Sequence, residues 1–386
     1  RGAPYPGARA ARGCGTGVAP STRRRGALRR ISTVTLRGER EVDLMRGRRT
    51  WAGAVVAAGL SLWWTSRRRR RASWARAVVV VTGGSRGLGF ALATTFATEG
   101  AIVWLASRDQ AEIDRAVRRL RADGLSAYGH VCDVTDPASV EQLVHAVVRR
   151  HARLDVVVNN AGVITAMPFD NAELDDFRTS LDTHFWGPLH VIRAALPWLR
   201  RSHRAHIVNV SSIGGRVGVP HLAPYCAGKF ALAGLSEVLR AELAPGIAVT
   251  LATPGLMRTG SVGRVRVRGR HAAEARWFAA LSATALTSQD AMRAARQIVQ
   301  AAARGRASVM PGWQARVQHA AHHLAPEWSA AVMAAVARHV LPAPVDGPSP
   351  ARAISDVPLG WAAPLVSTRT AVRYNQPEAA LTTPQA

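Results

Sequence analysis

The chain has 386 residues, 48% of them hydrophobic, which is ample for a core, and it carries a formal charge of +26. The charge does not mark a nucleic-acid binder, because 19 arginines against Glu39, Glu41 and Asp43 put +16 of it before Ala77 and leave +10 for the other 310 residues. Cys14, Cys132 and Cys226 are odd in number and lack metal-ligand spacing, which excludes a disulfide framework, points to a reducing compartment and gives no metal site.

Residues 1–44 are rich in Arg, Gly, Ala and Pro without a sustained period, so a disordered leader is expected there. The chain starts with Arg1, and Met45 is the expected true start. Trp51 to Trp64 is an uncharged apolar run between Arg46, Arg48 and Arg49 on one side and Arg67 to Arg71 on the other. A helix of that length reaches about 21 Å, short of a hydrocarbon core of about 30 Å, although Trp51, Trp63 and Trp64 sit where an aromatic belt would. Three readings stay open for residues 45–72: a membrane anchor spanning 51–66, an interfacial helix, or a leader. If the segment spans, the five consecutive arginines favour the cytoplasmic side, which leaves the following domain in the cytoplasm at the inner face of the membrane.

From Ala77 strands alternate with helices. Ala77 to Thr82 is a continuous apolar run, as a parallel strand buried on both faces requires. A helix is expected over Leu88 to Glu99, a strand over Ala101 to Ala106, a helix over Gln110 to Ala122 and a strand over Ala127 to Val131. Ser139 to His151 carries Val140, Leu143, Val144 and Val147 on one helical stripe. Leu154 to Asn159 follows as a strand, Ala172 to Leu199 as mostly helix, Ala205 to Val210 as a strand, Ala223 to Leu243 as a helix and Ile247 to Ala252 as a strand. A helix over Asp290 to Ala303 and a short strand over Ala307 to Met310 close the series. The alternation specifies an α/β fold, a Rossmann-type doubly wound parallel sheet forming one catalytic domain at 75–311. Trp313 to His323 and Trp328 to Leu341 read as a C-terminal helical extension at 312–342, where Trp328, Val332, Met333, Val336 and Val340 fall near one face, expected to pack on the domain or make a membrane contact. The Pro-rich remainder, 343–386, reads as a disordered tail.

Gly83, Gly87 and Gly89 follow a strand and open a helix, the context in which missing side chains let a backbone approach a pyrophosphate. Of the 51 basic residues, Lys229 is the one lysine. It stands four residues after Tyr225, on the same face of a helix. A phenol is a poor base at neutral pH, and a neighbouring ammonium favours its phenolate. Ser212, at the end of a strand, is placed to offer a hydroxyl to the same substrate oxygen.

Thr82-Gly83-Gly84-Ser85-Arg86-Gly87-Leu88-Gly89, Asp133, Asn159-Asn160-Ala161-Gly162, Ser212, Tyr225 with Lys229, and Pro254-Gly255 with Thr259 stand in the order and spacing of the short-chain dehydrogenase/reductase family, which residues 77–310 strongly resemble. The resemblance implies a carbonyl/alcohol oxidoreductase with Tyr225 as general acid/base, Lys229 holding the nicotinamide ribose and lowering the tyrosine pKa, and Ser212 on the substrate oxygen. It implies cofactor contacts at Gly83, Ser85, Arg86, Gly87, Leu88, Gly89, Ser107, Arg108, Asp133, Asn159, Ala161, Gly162, Pro254, Gly255 and Thr259, besides Tyr225 and Lys229. Asp133 would contact adenine, and Asn159 would brace the strand end. The family's relay asparagine aligns with His184, a larger and titratable residue. A mobile lid is implied at 256–284, where Arg258, Arg264, Arg266, Arg268, Arg270 and Arg276 would meet an acidic substrate or a membrane surface, or lie in solvent.

Ser107-Arg108 stands where an acid would select NAD(H), with Arg86 nearby and Asp109 turned away into a helix, so NADP(H) is expected over NAD(H). An apolar or lipid-like small-molecule substrate, such as a steroid, retinoid or long-chain ketone, is expected with a homodimer or homotetramer and no nucleic-acid partner. The alternatives are a catalytically silent nicotinamide-binding scaffold and an epimerase or dehydratase on the same fold.

Overall fold

The computed structural model describes residues 74–376 apart from 285, 366 and 367. The expected leader and the anchor candidate at 51–66 lie outside the described residues.

Strands and helices alternate as β1 (Val78–Thr82), α1 (Gly87–Thr98), β2 (Ile102–Ser107), α2 (Gln110–Ala122), β3 (Ala127–Val131), α3 (Pro137–His151) and β4 (Val156–Asn159). There follow α4 (Leu174–Leu181), α5 (Gly187–Leu199), β5 (His206–Val210), α6 (Ala223–Glu242), β6 (Ala248–Ala252), α7 (His271–Ala283), α8 (Ala291–Ala303) and β7 (Ser308–Val309). These seven strands form one parallel sheet in the order β7-β6-β5-β4-β1-β2-β3. The order reverses between β1 and β4, and in such sheets the crevice beyond the strand ends at the reversal is where ligands bind.

The run of valines in β1 is explained by two cores. Val79 and Val81 face one layer with Phe96, Ile113 and Ile298, while Val78 and Val80 face the other with Leu143, Val147 and Leu199. Burial on both faces removes the polar alternation that a half-exposed strand would show. The helices begin where capping side chains stand. Asp109 accepts the Glu112 N–H, and Asp136 accepts the Ala138 N–H, which starts α3 two residues before the Ser139 expected from its apolar stripe.

The long helix expected over Ala172 to Leu199 is two helices. A reciprocal Glu173/Asp176 capping box sets the start of α4, and a π-turn over Asp182–Trp186 joins it to α5. Pro188 has no N–H to donate to the His184 carbonyl, which removes one rung of a continuous α ladder at this point.

Two further corrections concern the C-terminal third. The tail expected to be disordered is packed over its described residues: Arg352–Ala353 pairs antiparallel with Arg266–Val267, Ile354, Val357 and Leu359 are buried, and a short helix over Thr368–Arg373 leads to buried Tyr374 and Asn375. These contacts are made by isolated residues between prolines, so they leave no period in the sequence. The lid arginines divide, Arg266 and Arg270 being exposed while others are tied down. Arg258 donates to the Ser288 carbonyl, Arg264 to Glu112, and Arg268 is buried against Glu173 at 2.5 Å and Asp176 at 3.0 Å.

The extension forms two helices, α9 (Trp313–Leu324) and α10 (Pro326–His339), and α11 spans Thr368–Arg373. Among the described residues no helix is long and apolar enough to cross a membrane.

Candidate active site

A cavity of about 1120 Å³ opens at the strand-order reversal, and its wall includes Ser212, Tyr225, Lys229 and His184 together with most of the residues expected at a dinucleotide. Gly83, Ser85, Arg86, Leu88, Gly89, Ser107, Arg108, Asp133, Ala161, Gly162, Pro254, Gly255 and Thr259 all line it. Two do not. Gly87 turns its N–H to the Tyr374 carbonyl at 3.0 Å. Asn159 is buried between strands, where its Nδ2 donates to Asn209 Oδ1 at 2.8 Å.

The bracing expected of Asn159 is done by its neighbour. Asn160 Nδ2 donates to the carbonyls of Thr82 at 3.0 Å and Gly83 at 3.2 Å, tying the end of β4 to the glycine loop. The signal was available in the register: Asn159 is the cross-strand partner of Asn209, so its side chain belongs to the sheet, and the next residue is the one free to reach the loop. The loop itself admits little else. Gly83 has φ of +61°, and a Cβ on Gly89 would collide with the Gly83 carbonyl oxygen.

Lys229 is 4% exposed, and its Nζ donates to the Val210 carbonyl at 3.0 Å and lies 5.7 Å from the Tyr225 ring centre. Burial pushes its pKa down to about 7, since a charged ammonium loses its hydration there. Tyr225 hydrogen-bonds to Ser212, and burial pushes the phenol up to about 12 against that bond. With its pKa held up in this way, the phenol keeps its proton at neutral pH. Ser212 in turn accepts the Gly214 N–H at 3.2 Å, which orients its hydroxyl at the end of β5.

His184 is fully buried with both ring nitrogens engaged. Ser180 Oγ donates to the Pro224 carbonyl at 2.6 Å and so accepts from His184 Nδ1–H at 3.1 Å, while the Val163 N–H donates to Nε2 at 3.2 Å. The bonds fix the Nδ1–H tautomer. Burial first, and Lys229 second, hold its pKa well below the usual histidine range. Through these bonds the ring ties α4 and α6 to the loop after β4.

Glu112 was missed by the sequence reading. It is 3% exposed, accepts from Ser85 Oγ at 3.1 Å and pairs with Arg86 at 2.8 Å and Arg264 at 2.7 Å. Arg108 is 69% exposed, with the Asp133 carboxylate at 3.9 Å, and Asp133 Oδ1 also accepts from the Thr135 hydroxyl at 2.8 Å. Asp109, expected to turn away, stays in this neighbourhood with one oxygen spent on the α2 cap.

Beyond Tyr225 the wall is mostly apolar, with Ser282, Gln314, Gln318 and Ser329 set among the apolar side chains. Phe278 and Leu281 of α7, Trp313 and Val317 of α9, and Trp328, Val332, Met333 and Val336 of α10 line the far end. The apolar stripe of α10, read from the sequence as a packing or membrane face, is thus a cavity wall.

A family profile described as short chain dehydrogenase matches residues 77–268. A protein described as ketoacyl reductase 1 of the granaticin polyketide synthase from Streptomyces violaceoruber is 38% identical over 197 residues, covering 50% of this chain and 72% of the relative. A 3-ketodihydrosphingosine reductase from Bacteroides thetaiotaomicron is 36% identical over 184 residues, covering 47% of this chain and 65% of the relative. Among solved structures, a short chain dehydrogenase/reductase from Burkholderia phymatum in complex with NAD aligns with a TM-score of 0.59 at 25% identity, covering 65% of this chain and 96% of that one. A single-substitution variant of the actinorhodin polyketide ketoreductase with NADPH aligns with a TM-score of 0.55 at 27% identity, covering 62% of this chain and 97% of that one.

Proposed function

The chain belongs to the short-chain dehydrogenase/reductase family, oxidoreductases acting on CH–OH/C=O with NAD(P), and from that premise we propose that it reduces an apolar, lipid-like ketone with NADPH, Tyr225 supplying the proton. One observation carries the reading: Tyr225, Ser212 and Lys229 share a cavity whose near end is a glycine loop and whose far end is apolar. The names of the relatives, a ketoacyl reductase and a 3-ketodihydrosphingosine reductase, support a ketone on a long apolar body.

The residues fit a nicotinamide dinucleotide, since the glycine loop leaves no room for side chains at Gly83 and Gly89 and opens directly into the start of α1. When bound, the cofactor supplies the hydride that reaches the carbonyl carbon. Ser212 Oγ holds the carbonyl oxygen. As the C=O bond becomes single, the Tyr225 hydroxyl proton passes to that oxygen, and solvent returns a proton to the phenolate. A phenol pushed up to about 12 has this proton in place at neutral pH. Lys229 donates to the ribose and stabilises the transient phenolate in its ammonium form. Arg86 and Arg108 are the cations placed for a 2′-phosphate, which carries the preference for NADPH.

The test is turnover by the full chain of a long-chain ketone and of a small polar ketone, with NADPH and with NADH. Preference for the long-chain ketone and NADPH is expected, and Tyr225→Phe is expected to lower kcat by about 10²- to 10⁴-fold while NADPH still binds. Reduction of small polar carbonyls alone, or full activity in Tyr225→Phe, would defeat the proposal.

A further inference from the structure

One buried acid takes no part in the mechanism above. Glu274 lies in the lid helix α7, shut off from solvent, and its carboxylate is held by His221 and Trp277. His221 Nδ1 donates to Glu274 Oε1 at 2.9 Å and lies 3.1 Å from Oε2, and the Trp277 indole N–H donates to Oε2 at 2.5 Å. The spacing makes this acid unusual. Glu274, Trp277, Phe278 and Leu281 stand at i, i+3, i+4 and i+7 on one face of α7, and the last three line the main cavity. Apolar packing alone would put a fourth apolar side chain on that stripe.

His221 comes from the opposite wall. It stands four residues before Tyr225, between Pro220 and Leu222, which both line the cavity, and Leu222 is the N-cap of α6. Its φ of +64° places it in the left-handed region, and its carbonyl accepts the Met167 N–H at 2.8 Å. The Nδ1–H donor exists in the neutral Nδ1 tautomer and in the imidazolium alike, so the tie does not depend on the charge of the ring. The pair thus joins α7 to the loop that starts the helix of Tyr225 and Lys229. Tyr225 and Trp277 also pack against one cluster of buried side chains, Leu222 and Phe278 among them. The remaining hold on α7 comes largely from buried Ala275, Phe278 and Ala279, and apolar packing is non-directional. It keeps the helix down without choosing its rotation, whereas a carboxylate between two N–H donors from two elements fixes it. Burying that carboxylate costs more than an apolar residue of the same size would, so what the pair adds is orientation.

We propose that His221 and Glu274 are positioning residues that set the rotation of α7 and, through the Trp277 indole, the width of the cavity beyond Tyr225, a role that rests on the ketone reading above. Trp277 is then the side chain that discriminates a long apolar ketone from a short one.

Steady-state kinetics of the full chain, with hydrogen exchange over His271–Ala283, tests this. His221→Ala removes the donor. His221→Asn keeps one, since the asparagine Nδ2 stands where Nδ1 stood and asparagine tolerates the left-handed backbone. In His221→Ala the KM for a long-chain ketone is expected to rise about 10-fold, the scale of one hydrogen bond to a charged group, and exchange to quicken in α7. The values of kcat, the KM for a small polar ketone and the Kd of NADPH should stay as they are, the pattern of lost binding rather than lost chemistry. His221→Asn should restore most of the KM and of the protection. If the alanine variant does not fold, Glu274→Gln decides: it keeps the shape, sets an amide NH₂ against one of the two donors, and should raise the long-chain KM alone. Equal losses for both ketones that track thermal stability, or an unchanged long-chain KM, would overturn the proposal. Wild-type protein that reduces no long-chain ketone would bring down the ketone reading; the exchange comparison still judges the tie between His221 and Glu274, and unchanged exchange in His221→Ala would end it.

Discussion

Lys229 lends itself to a quantitative test because burial moves its pKa from 10.5 to about 7 and its direct hydrogen bond is to a neutral carbonyl. Between those values the unfolded chain binds a proton that the folded chain does not, so stability rises with pH across this window and falls as pH drops toward 7. From pH 7 to pH 9 the group spans two units, worth about 2–3 kcal/mol at about 1.4 kcal/mol per unit, a large share of a typical domain stability of about 5–15 kcal/mol. Lys229→Met removes the ammonium at similar volume. Urea unfolding of wild type and variant at pH 7 and pH 9 should show the stability difference, wild type minus variant, becoming more favourable by that amount at the higher pH. The subtraction cancels Cys132, whose thiol is pushed up to about 11, and the Tyr225 phenol, at about 12, titrates above the window. A difference that does not change with pH would refute the reasoning, because it would mean that the ammonium is as well solvated in the fold as outside it.

Arg268→Ala leaves Glu173 and Asp176 without their shared cation and should cost about 3–5 kcal/mol in urea unfolding, whereas Arg268→Met should cost less only if Asp176 can rehydrate. Asn375→Ala deletes two hydrogen bonds to backbone carbonyls and should lower stability by about 1–3 kcal/mol while weakening NADPH and NADH together, which calorimetric titration would read. His184→Phe keeps a ring of similar size but carries no proton, and it should preserve the pH profile of kcat/KM, since both histidine nitrogens are spent on Ser180 and Val163; loss of one limb of that profile would make the histidine a proton relay.

The sheet was legible because its signal is redundant. Most strands of the sheet are short apolar runs separated by helical segments, and β3 and α2 fall on the expected residues. The cluster of Ser212, Tyr225 and Lys229 was legible for another reason: a parallel sheet with right-handed crossovers brings successive strand ends to one edge, so residues at those ends meet whatever their separation in sequence. What escaped depends on pairing between distant segments. Glu112 reads as one more acid in the first turn of a charged helix, and only the approach of Arg86 and Arg264 makes it part of a site. The segment 343–376 escaped because a chain that docks through single side chains and borrowed carbonyl bonds has no period to read. The α10 stripe was seen, but a helical stripe states only that one face avoids water; whether it meets a core, a membrane or a cavity is decided by what stands opposite.

The arginines make the same point in charge. Within the described domain many are intramolecular fasteners. Arg153 pairs with Asp155 beside β1, Arg240 donates to the carbonyls of Val249 and Gly305, and Arg268 anchors the lid strand to α4. A guanidinium suits this work because its fork of donors can satisfy several carbonyl or carboxylate oxygens at once, which a single lysine ammonium matches less rigidly. Charge that is consumed in this way attracts nothing from solution. What remains available for a ligand is set by the pairing that is loose, and Arg108, exposed and 3.9 Å from a half-exposed carboxylate, keeps little of its charge in that contact. The function carried by a basic residue in this chain follows from how tightly its neighbours already hold it.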